Sequence, residues 1–382
     1  MTDRVVSLDA GTVVLGLPEP LQVGPMTITS REYATVRLRT ESGLIGKAYC
    51  LSRNAPVAAC IERLIAPTIR GADSSDIRGL WERSIRANIT IGRTGLVLRA
   101  LGLVDVALWD IAAQRARLPL HALLGRDPAP VPVAMVAAYP VASRSPEQLA
   151  ADVIAYAGSG YRLLKIARSA DPVLMRRWLE CMVPELPASA QLVIDAGYGW
   201  TTADDVLSET SSWGTFDLAW LEDPLVPEDV AGLARLRREG RHPIGIGDEL
   251  SEASTYEALL AAEAVDVLRL DVVAIGGVTG ALEVMGLASA AGVPVAFHVF
   301  PELCLHLATG VPGAIVETFD PDVPGGNPLD PAHKLTSGRL VLEDGCAVPP
   351  AAVGIGFDLL EPPLANNPET PRRPSVVGTA YR

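Results

Sequence analysis

The sequence predicts an α/β protein built around a closed barrel of eight parallel strands. From about Val131 onward, short apolar runs alternate with amphipathic segments of helical length, which is the pattern of repeated strand–helix units. Eight such runs occur, and seven of them precede a helical segment, as expected for a parallel barrel. A chain of 382 residues can hold this barrel together with a smaller domain.

The barrel elements can be assigned in chain order. The predicted strands are VPVAMVAA, YRLLKIA, QLVIDAG, LAWLEDP, PIGIGDE, VLRLDVV, VPVAFHV and AIVETF. The predicted helices between them include SPEQLAADVIAYAG, EASTYEALLAAEA and VTGALEVMGLASAAG. Active sites of parallel barrels lie at the C-terminal ends of the strands, so these ends are where we look for function.

The chain before the barrel has a different pattern. The segment ATVRLRTESGLIGKAY alternates apolar and polar residues on both sides of a Ser-Gly turn, which predicts an antiparallel hairpin. The segment GLVLRALGLVDVALWDIAAQRA has apolar residues at helical spacing and is long enough for a buried helix. The tail from about Pro331 is rich in Pro and Gly, and we expect it to pack against this first part.

Composition and charge exclude several classes of protein. Hydrophobic residues make up 49% of the chain and charged residues 20%, as in globular proteins. The net charge of −13 argues against a nucleic acid or an anionic membrane as partner, although a bound cation would still admit an anionic substrate. Five scattered cysteines without metal-ligand spacing, and the lack of a signal-peptide or membrane-spanning pattern, predict a cytoplasmic location.

Ionisable side chains stand at seven successive predicted strand ends. They are Lys165, Asp195, Glu222, Asp248, Asp271, His298 and Glu317. Any one carboxylate could simply cap the next helix, but seven groups about one strand–helix unit apart predict a single polar site at the barrel mouth. Three of them, Asp195, Glu222 and Asp248, are hard oxygen ligands on adjacent strands. That set suits Mg²⁺, which leaves coordination positions open for substrate oxygens.

These motifs resemble the enolase superfamily and, within it, the mandelate racemase group of the mandelate racemase/muconate lactonizing enzyme family. The resemblance covers nearly the whole chain. Its motifs, in family order, are RTGLVLRALGLVDVALWDIAAQRARLPLHALLG, the strand ending in Lys165, IDAG, WLEDP, GDE, LDVVAIGGVTG, FHVFPE and VE. The segments IGGVTG and HVFPE are the most specific of them.

The resemblance implies a modified TIM barrel, (β/α)7β, with an α+β capping domain formed by the N-terminal region and the C-terminal tail. We expect residues 1–125 to form the cap, 126–330 the catalytic barrel, and 331–382 the tail that completes the cap. The resemblance also implies a homo-oligomer, either a dimer or an octamer, and a small-molecule carboxylate as substrate.

The same resemblance implies roles for the residues at the strand ends. Asp195, Glu222 and Asp248 match the Mg²⁺ ligands, Asp271 and His298 match a dyad that acts as one base, and Lys165 matches the first lysine of a Lys-x-Lys motif. Glu317 matches an acid that hydrogen-bonds the substrate carboxylate, and we expect it to be protonated. Together these groups would remove the α-proton of a carboxylate and stabilise the resulting enediolate.

The sequence departs from the family pattern at three places. The second lysine of the Lys-x-Lys motif is Ala167, and Arg168 beside it points the other way by strand alternation and is a poor base. The family's Asp-x-Asn ends in Gly197 here. The third metal ligand is Asp248 where the group usually has Glu; Glu249 is the alternative ligand, but alternation favours Asp248.

A site with one base favours dehydration of a hydroxy-acid, most simply a sugar acid, because racemisation needs proton donors on both faces of the intermediate. The alternative is a racemase, epimerase or cycloisomerase. Two interpretations from other classes remain. Lys165 could form a Schiff base, as in a class I aldolase, or the missing lysine could mark a binding protein that has lost activity.

Several further residues receive weaker predictions. Arg53 and Asn54 lie where the family's capping loop closes over substrate, and they could bind its distal groups or be solvated loop residues. Glu302 and His306, four residues apart on one predicted helix, are expected to be structural. Packing or surface positions are expected for the remaining histidines, which are His121, His242 and His333.

Overall fold

The structure is a computed structural model. It describes residues 2–23, 26–140, 144–214, 216–319, 329–338 and 340–360. Among these residues, no helix combines the length and the apolar character that crossing a membrane requires.

The N-terminal part opens with a three-stranded antiparallel sheet. Its strands are β1 (Val5–Val23), β2 (Met26–Thr40) and β3 (Ile45–Leu51), in that order across the sheet. The predicted hairpin corresponds to β2 and β3, with Arg37 opposite Lys47. The long strand β1 was not assigned from the sequence.

Helices follow this sheet in the chain. They are α1 (Val57–Cys60), which continues through a π-helical turn (Ile61–Ile65) into α2 (Ala66–Ile69), then α3 (Ile77–Ala87), α4 (Leu96–Ala116) and α5 (Leu120–Leu123). Helix α4 matches the predicted buried helix and packs against β3 and β2. Sheet and helices together make the α+β cap that the sequence predicted.

The barrel is closed and parallel, as predicted. Its eight strands are β4 (Val131–Ala138), β5 (Leu163–Ala167), β6 (Gln191–Asp195), β7 (Leu218–Glu222), β8 (Ile244–Ile246), β9 (Val267–Leu270), β10 (Val295–Phe297) and β11 (Ile315–Thr318). Each strand pairs with the next one along the chain, and β11 returns to pair in parallel with β4. All eight apolar runs therefore form the predicted strands.

One α-helix comes after each of the first seven barrel strands. These helices are α6 (Pro146–Gly158), α7 (Pro172–Met182), α8 (Ala203–Thr210), α9 (Val230–Glu239), α10 (Ala253–Ala261), α11 (Gly277–Ala291) and α12 (Pro301–Ala308). Local signals fix several of their starts. The side chain of Ser145 accepts a hydrogen bond from the backbone amide of Gln148, and the side chain of Gln148 accepts one from the backbone amide of Ser145. This reciprocal pair is a capping box, and it begins α6. This connectivity is the (β/α)7β order.

The tail contacts both the barrel and the cap. Strand β13 (Cys346–Ala347) pairs antiparallel with β12 (Leu342–Glu343) and with the start of β4. On the cap side, Arg37 donates a hydrogen bond to the Leu359 carbonyl and Lys47 forms an ion pair with Asp358. Residues 361–382 of the predicted tail lie outside the described residues, and the domain boundaries near 125 and 330 remain a prediction.

Candidate active site

The structure brings all seven predicted strand-end residues together at the C-terminal end of the barrel. A cavity of about 660 Å³ opens there, within the range typical of small-molecule sites. Asp195, Asp248, His298 and Glu317 line it. The other three are not among the lining residues: Lys165 and Glu222 are buried and contact each other, and Asp271 is buried with its Oδ2 3.5 Å from His298 Nδ1.

The floor of the cavity is a closed ring of alternating charges. Lys165 contacts both Glu222 and Glu317, and Arg269 contacts the same two carboxylates. The four side chains come from alternate barrel strands, as the layers inside such barrels do, and each is at most 1% exposed. Each buried group in the ring therefore has partners of the opposite type, which offsets the cost of burying it.

Arg269 is the member of this ring that sequence reasoning missed. Its Nε lies 3.0 Å from Glu222 Oε2 and 2.9 Å from Asp248 Oδ1, and a further guanidinium nitrogen bonds Glu317. A signal was present, since an arginine interrupts the apolar run VLRLD two residues before Asp271. By strand alternation, that spacing places Arg269 and Asp271 on the same, inward face.

Three carboxylates form a cluster that fits a hard divalent cation. One oxygen each of Asp195, Glu222 and Asp248 lie within 4.8 Å of one another. They come from adjacent strands, β6 and β7, and from the turn after β8. Such a set of hard oxygen donors fits Mg²⁺ and leaves further positions for substrate oxygens. Trp220 Nε1 donates a 2.9 Å hydrogen bond to Glu222, which fixes the orientation of that carboxylate.

Glu249, the alternative ligand, lies with a different group. One ligand atom each of Glu249, Asp271 and His298 lie within 4.8 Å of one another. Arg53 Nε donates a 2.5 Å hydrogen bond to Glu249 Oε1, and Arg99 lies 3.3 Å from Oε2. The backbone of Glu249 has φ of 58°, a left-handed conformation that is uncommon for a non-glycine residue. The Glu249 carboxylate is therefore paired with two arginines and does not belong to the cluster of Asp195, Glu222 and Asp248.

His298 and Asp271 are arranged as a pair. His298 Nδ1 and Asp271 Oδ2 lie 3.5 Å apart, and within the described part of the chain neither atom has a hydrogen-bond partner. The other oxygen of Asp271 accepts hydrogen bonds from the amides of Val273 and Ala274, at 2.9 and 3.0 Å. His298 Nε2 lies 3.5 Å from Asp248, on the cavity side. The imidazole therefore lies between the Asp271 carboxylate, which faces its Nδ1, and the cavity, which its Nε2 faces.

Electrostatics make the imidazole of this pair basic. Burial alone would lower the pKa of His298, but Asp248 and Asp271 outweigh it and raise the pKa to about 9. Burial would likewise raise the pKa of Asp271, but Arg99 and His298 lower it to about 2. Asp271 is therefore ionised at neutral pH, as a residue that orients a base must be.

The predicted protonation of Glu317 is wrong in this structure. Burial would raise its pKa, but Lys165 and Arg269 outweigh burial and lower it. Lys165 Nζ lies 2.9 Å from Glu317 Oε2, and Arg269 bonds the same oxygen. The expectation considered only neighbouring acids, whereas two buried cations hold Glu317 as a carboxylate.

Ala167 faces the cavity, and Arg168 does not replace the missing lysine. Ala167 lines the cavity beside Asp195, its partner in the β5–β6 register. The guanidinium of Arg168 stacks 4.0 Å from the Trp200 ring centroid and forms two hydrogen bonds with Glu209. Arg168 is thus a paired cation and no substitute for the missing lysine, although it is among the residues that line the cavity.

The two capping-loop residues differ in their placement. Arg53 lines the cavity, with its guanidinium paired to Glu249. Asn54 is exposed, is not among the residues that line the cavity, and its amide donates to Ser52 Oγ. Their roles in substrate binding stay predictions, with a cavity contact only for Arg53.

None of the remaining polar residues singled out by the sequence is among those that line the cavity. Glu302 accepts a 3.0 Å hydrogen bond from Tyr49, and His306 stacks on His121 with ring centroids 5.3 Å apart. His242 is buried and packs near Trp213. His333 is exposed.

Two family models match the chain. Residues 9–125 match the mandelate racemase / muconate lactonizing enzyme N-terminal domain, and residues 148–362 match the enolase C-terminal domain-like family. The second match alone covers more than half of the 382 residues.

Characterised relatives share most of the length of the chain. The 3,6-anhydro-alpha-L-galactonate cycloisomerase of Streptomyces coelicolor is 30% identical over 289 residues, which cover 74% of this chain and 78% of the relative. The L-talarate/galactarate dehydratase of Salmonella typhimurium is 28% identical and matches 88% of this chain and 82% of its own. The crystal structure of L-talarate dehydratase from Polaromonas sp. JS666, complexed with Mg and L-glucarate, superposes with a TM-score of 0.83 at 28% identity. That superposition covers 94% of this chain and 96% of the other.

Proposed function

The chain belongs to the mandelate racemase/muconate lactonizing enzyme family of the enolase superfamily, and on that premise we propose that its barrel site dehydrates an acid sugar. The enzyme is Mg²⁺-dependent and acts by removing the α-proton of a carboxylate substrate. The observation that carries the proposal is the His298–Asp271 pair at the cavity, with Ala167 in place of a second basic side chain.

His298 is the proposed base. It takes the α-proton at Nε2, the nitrogen on the Asp248 side, while Asp271 faces Nδ1 and stabilises the imidazolium that forms. The electron pair of the broken C–H bond enters the carboxylate to give an enediolate. This electron pair then expels the β-hydroxyl, and the proton on His298 goes to the leaving oxygen. The products are water and an enol that tautomerises to a 2-keto-3-deoxy acid.

Charged groups at the floor and wall of the cavity support this step. Asp195, Glu222 and Asp248 would hold Mg²⁺, which supplies positive charge where the carboxylate becomes more negative. Lys165 adds a buried ammonium whose pKa, lowered by burial alone, is raised overall by Asp195 and Glu222. Lys165 therefore keeps its charge throughout, acting as an electrostatic partner and not as a base.

Isomerisation is the second candidate function. The relative with 30% identity is a cycloisomerase, and intramolecular addition to a double bond can also proceed with one acid–base group. Both candidates share the α-proton step and differ in the fate of the enediolate. A dehydratase removes water from the substrate and an isomerase does not, so the mass of the product distinguishes the two reactions.

The test is proton exchange combined with product analysis. Mg²⁺-loaded protein is incubated in D₂O with a library of acid sugars, and keto acids are detected by their carbonyl reaction with semicarbazide. We expect formation of a 2-keto-3-deoxy acid from at least one sugar acid, and loss of both product and α-proton exchange in His298→Asn. If no acid exchanges its α-proton with wild-type protein, the proposal is wrong.

The setting in which the enzyme works is also a proposal. The five cysteines are all free thiols, as is usual in a reducing cytoplasm. The homo-oligomer, a dimer or an octamer, is supported by family membership and by two exposed apolar residues, Ile89 and Ile91, which are 56% and 60% exposed. Sedimentation velocity measures the oligomeric state directly, and a monomer at micromolar concentration would contradict this part.

A further inference from the structure

Three arginines among the described residues line the cavity, and they differ in how their charge is balanced. Arg53 is paired with Glu249, and Arg168 with Glu209. Both guanidinium groups are therefore committed to a carboxylate of the protein. The third, Arg31, reaches the cavity from β2 in the cap.

Arg31 has no carboxylate partner in the described part of the chain. Its Nε donates a 3.2 Å hydrogen bond to the Leu329 carbonyl, and no described carboxylate forms an ion pair with the guanidinium. Asp330, an acid that lines the same cavity, accepts hydrogen bonds at Oδ1 from the Tyr33 hydroxyl and the Ala332 amide and forms no ion pair with Arg31. The outer nitrogens of Arg31 thus remain available to a ligand.

The wall around Arg31 is otherwise suited to a carbon chain. Ile28, Tyr139 and Phe319 line the same cavity, and Tyr139 packs with Ile28 and Phe319 against one apolar cluster. The wall that carries Arg31 therefore offers apolar surface to a carbon chain.

We propose that Arg31 binds a second carboxylate at the distal end of the substrate, so that the preferred substrates are dicarboxylic acid sugars and not monocarboxylic ones. This inference rests on the proposed function, in which the first carboxylate is used at the Lys165 and Mg²⁺ end. A guanidinium at a cavity that forms no ion pair with any described carboxylate is best satisfied by an anion, because its planar pair of donors matches a carboxylate.

Binding of matched acids tests the assignment without turnover. Galactarate and galactonate differ only at C6, which is a carboxylate in one and a hydroxymethyl group in the other; glucarate and gluconate form a second pair. Calorimetric titration of the Mg²⁺-loaded His298→Asn protein gives the affinity for each. We expect the diacid of at least one pair to bind at least 10-fold more tightly, the scale of one charge-assisted hydrogen bond.

Substitutions at Arg31 separate recognition from folding. Arg31→Gln should weaken binding of the diacid by roughly 10- to 100-fold and change the monoacid by about 2-fold or less. Arg31→Lys keeps the charge but loses the planar pair of N–H donors, so its preference for the diacid should lie between those of Arg31→Gln and the wild-type protein. Arg37→Gln is the matched control, since Arg37 lies on the same face of β2 and also donates to a backbone carbonyl, but is not among the residues that line the cavity.

The possible outcomes are distinct. If Arg31 serves only to bind the Leu329 carbonyl, Arg31→Gln and Arg31→Lys will weaken the binding of both acids by the same factor, and the inference is wrong. It is equally wrong if the wild-type protein exchanges the α-proton of the monoacid at the same rate as that of the diacid and binds both with the same affinity. By contrast, tight diacid binding that depends on Arg31, with no α-proton exchange in wild type, would support this inference and contradict the proposed function.

Discussion

Arg99 of the cap helix α4 lies 3.5 Å from Asp271 at the end of barrel strand β9. The contact is to Asp271 Oδ2, the same oxygen that faces His298 Nδ1. Arg99 is buried, and its guanidinium also contacts Glu249 and donates a hydrogen bond to the Leu51 carbonyl. The cap thus contributes a charge to the environment of the proposed base.

Loss of Arg99 should slow proton abstraction more than it weakens substrate binding. In Arg99→Gln, Asp271 loses the cation that holds it ionised and in place, so we expect kcat to fall by about 10- to 100-fold, as for other residues that orient a functional group. KM should change by less than about 3-fold, and Arg99→Lys should recover part of kcat. Steady-state kinetics and the α-proton exchange rate measure these effects.

The control for this experiment is Arg115→Gln. Arg115 lies on the same helix but pairs with Asp3 at the surface. Equal losses in the two variants, or an Arg99 effect confined to KM, would contradict a positioning role for Arg99.

Removing Arg269 should destabilise the protein, and Mg²⁺ should reverse part of the loss. Arg269→Met leaves the buried Glu222 and Glu317 and the partly buried Asp248 with one cation fewer, and breaking a buried ion pair typically costs about 3–5 kcal/mol. A metal ion bound by the folded state adds stability, so the loss should be smaller with saturating Mg²⁺ than with EDTA. Urea titrations under both conditions give the free energies of unfolding. An equal loss in both would show that Arg269 does not act through the metal-binding carboxylates.

The identity of the third metal ligand can be tested by a pair of neighbouring substitutions. Asp248 lies with Asp195 and Glu222, whereas Glu249 lies with the His298 pair. Asp248→Asn should therefore lower Mg²⁺ affinity by at least about 10-fold, while Glu249→Gln should change it much less. EDTA should abolish activity and Mg²⁺ restore it. Calorimetry gives both affinities, and a larger effect at Glu249 would reverse the assignment.

Much of the barrel and its strand-end residues could be predicted from the sequence, because both depend on local patterns. Strand alternation and the regular spacing of strand–helix units place Asp195 and His298 at the same mouth without any knowledge of packing. Arg99 could not be found in this way, because its contact with Asp271 depends on how the cap sits on the barrel. The expectation for Glu317 failed for the same kind of reason, since Arg269 approaches it from another strand.

A buried histidine pair should make folding sensitive to mild acid. His121 Nδ1 and His306 Nδ1 lie 3.1 Å apart, and His306 Nε2 lies 3.2 Å from the Ile355 carbonyl of the tail. Burial lowers the pKa of His306 to about 4 and also lowers that of His121. The unfolded chain, with an ordinary histidine pKa near 6.5, therefore binds protons that the folded chain does not.

Acid should therefore destabilise the folded state through this pair. Between pH 6.5 and pH 4 the unfolded state holds more protons, so the free energy of unfolding falls as the pH is lowered. His306 alone should account for about 3 kcal/mol over that window. His306→Gln should flatten the pH dependence of urea unfolding, whereas His333→Gln, at an exposed position, should leave it unchanged. An unaltered slope in His306→Gln would show that other groups cause the acid sensitivity.

Ala167 is the residue that separates a one-base site from a two-base site, and restoring a lysine there should add proton exchange on the second face of the substrate. Ala167 lines the cavity, two residues along β5 from Lys165 and on the same face, about 7 Å away along the strand. The ammonium of Lys165 already lies among four carboxylates. A new lysine nearby would meet a cation as well as Asp195, and the cation lowers the pKa of the new amine toward the range of a base.

Wild-type protein should exchange the α-proton of only one configuration of a 3-deoxy sugar acid, which lacks the β-hydroxyl and cannot be dehydrated. Ala167→Lys should exchange both configurations and interconvert them, while Ala167→Met, with a side chain of similar length and no exchangeable proton, should behave as wild type. Proton NMR in D₂O records the loss of each α-signal. Exchange of both configurations by wild type would mean that a second base already faces the cavity, and the preference for dehydration over racemisation would then lose its structural basis.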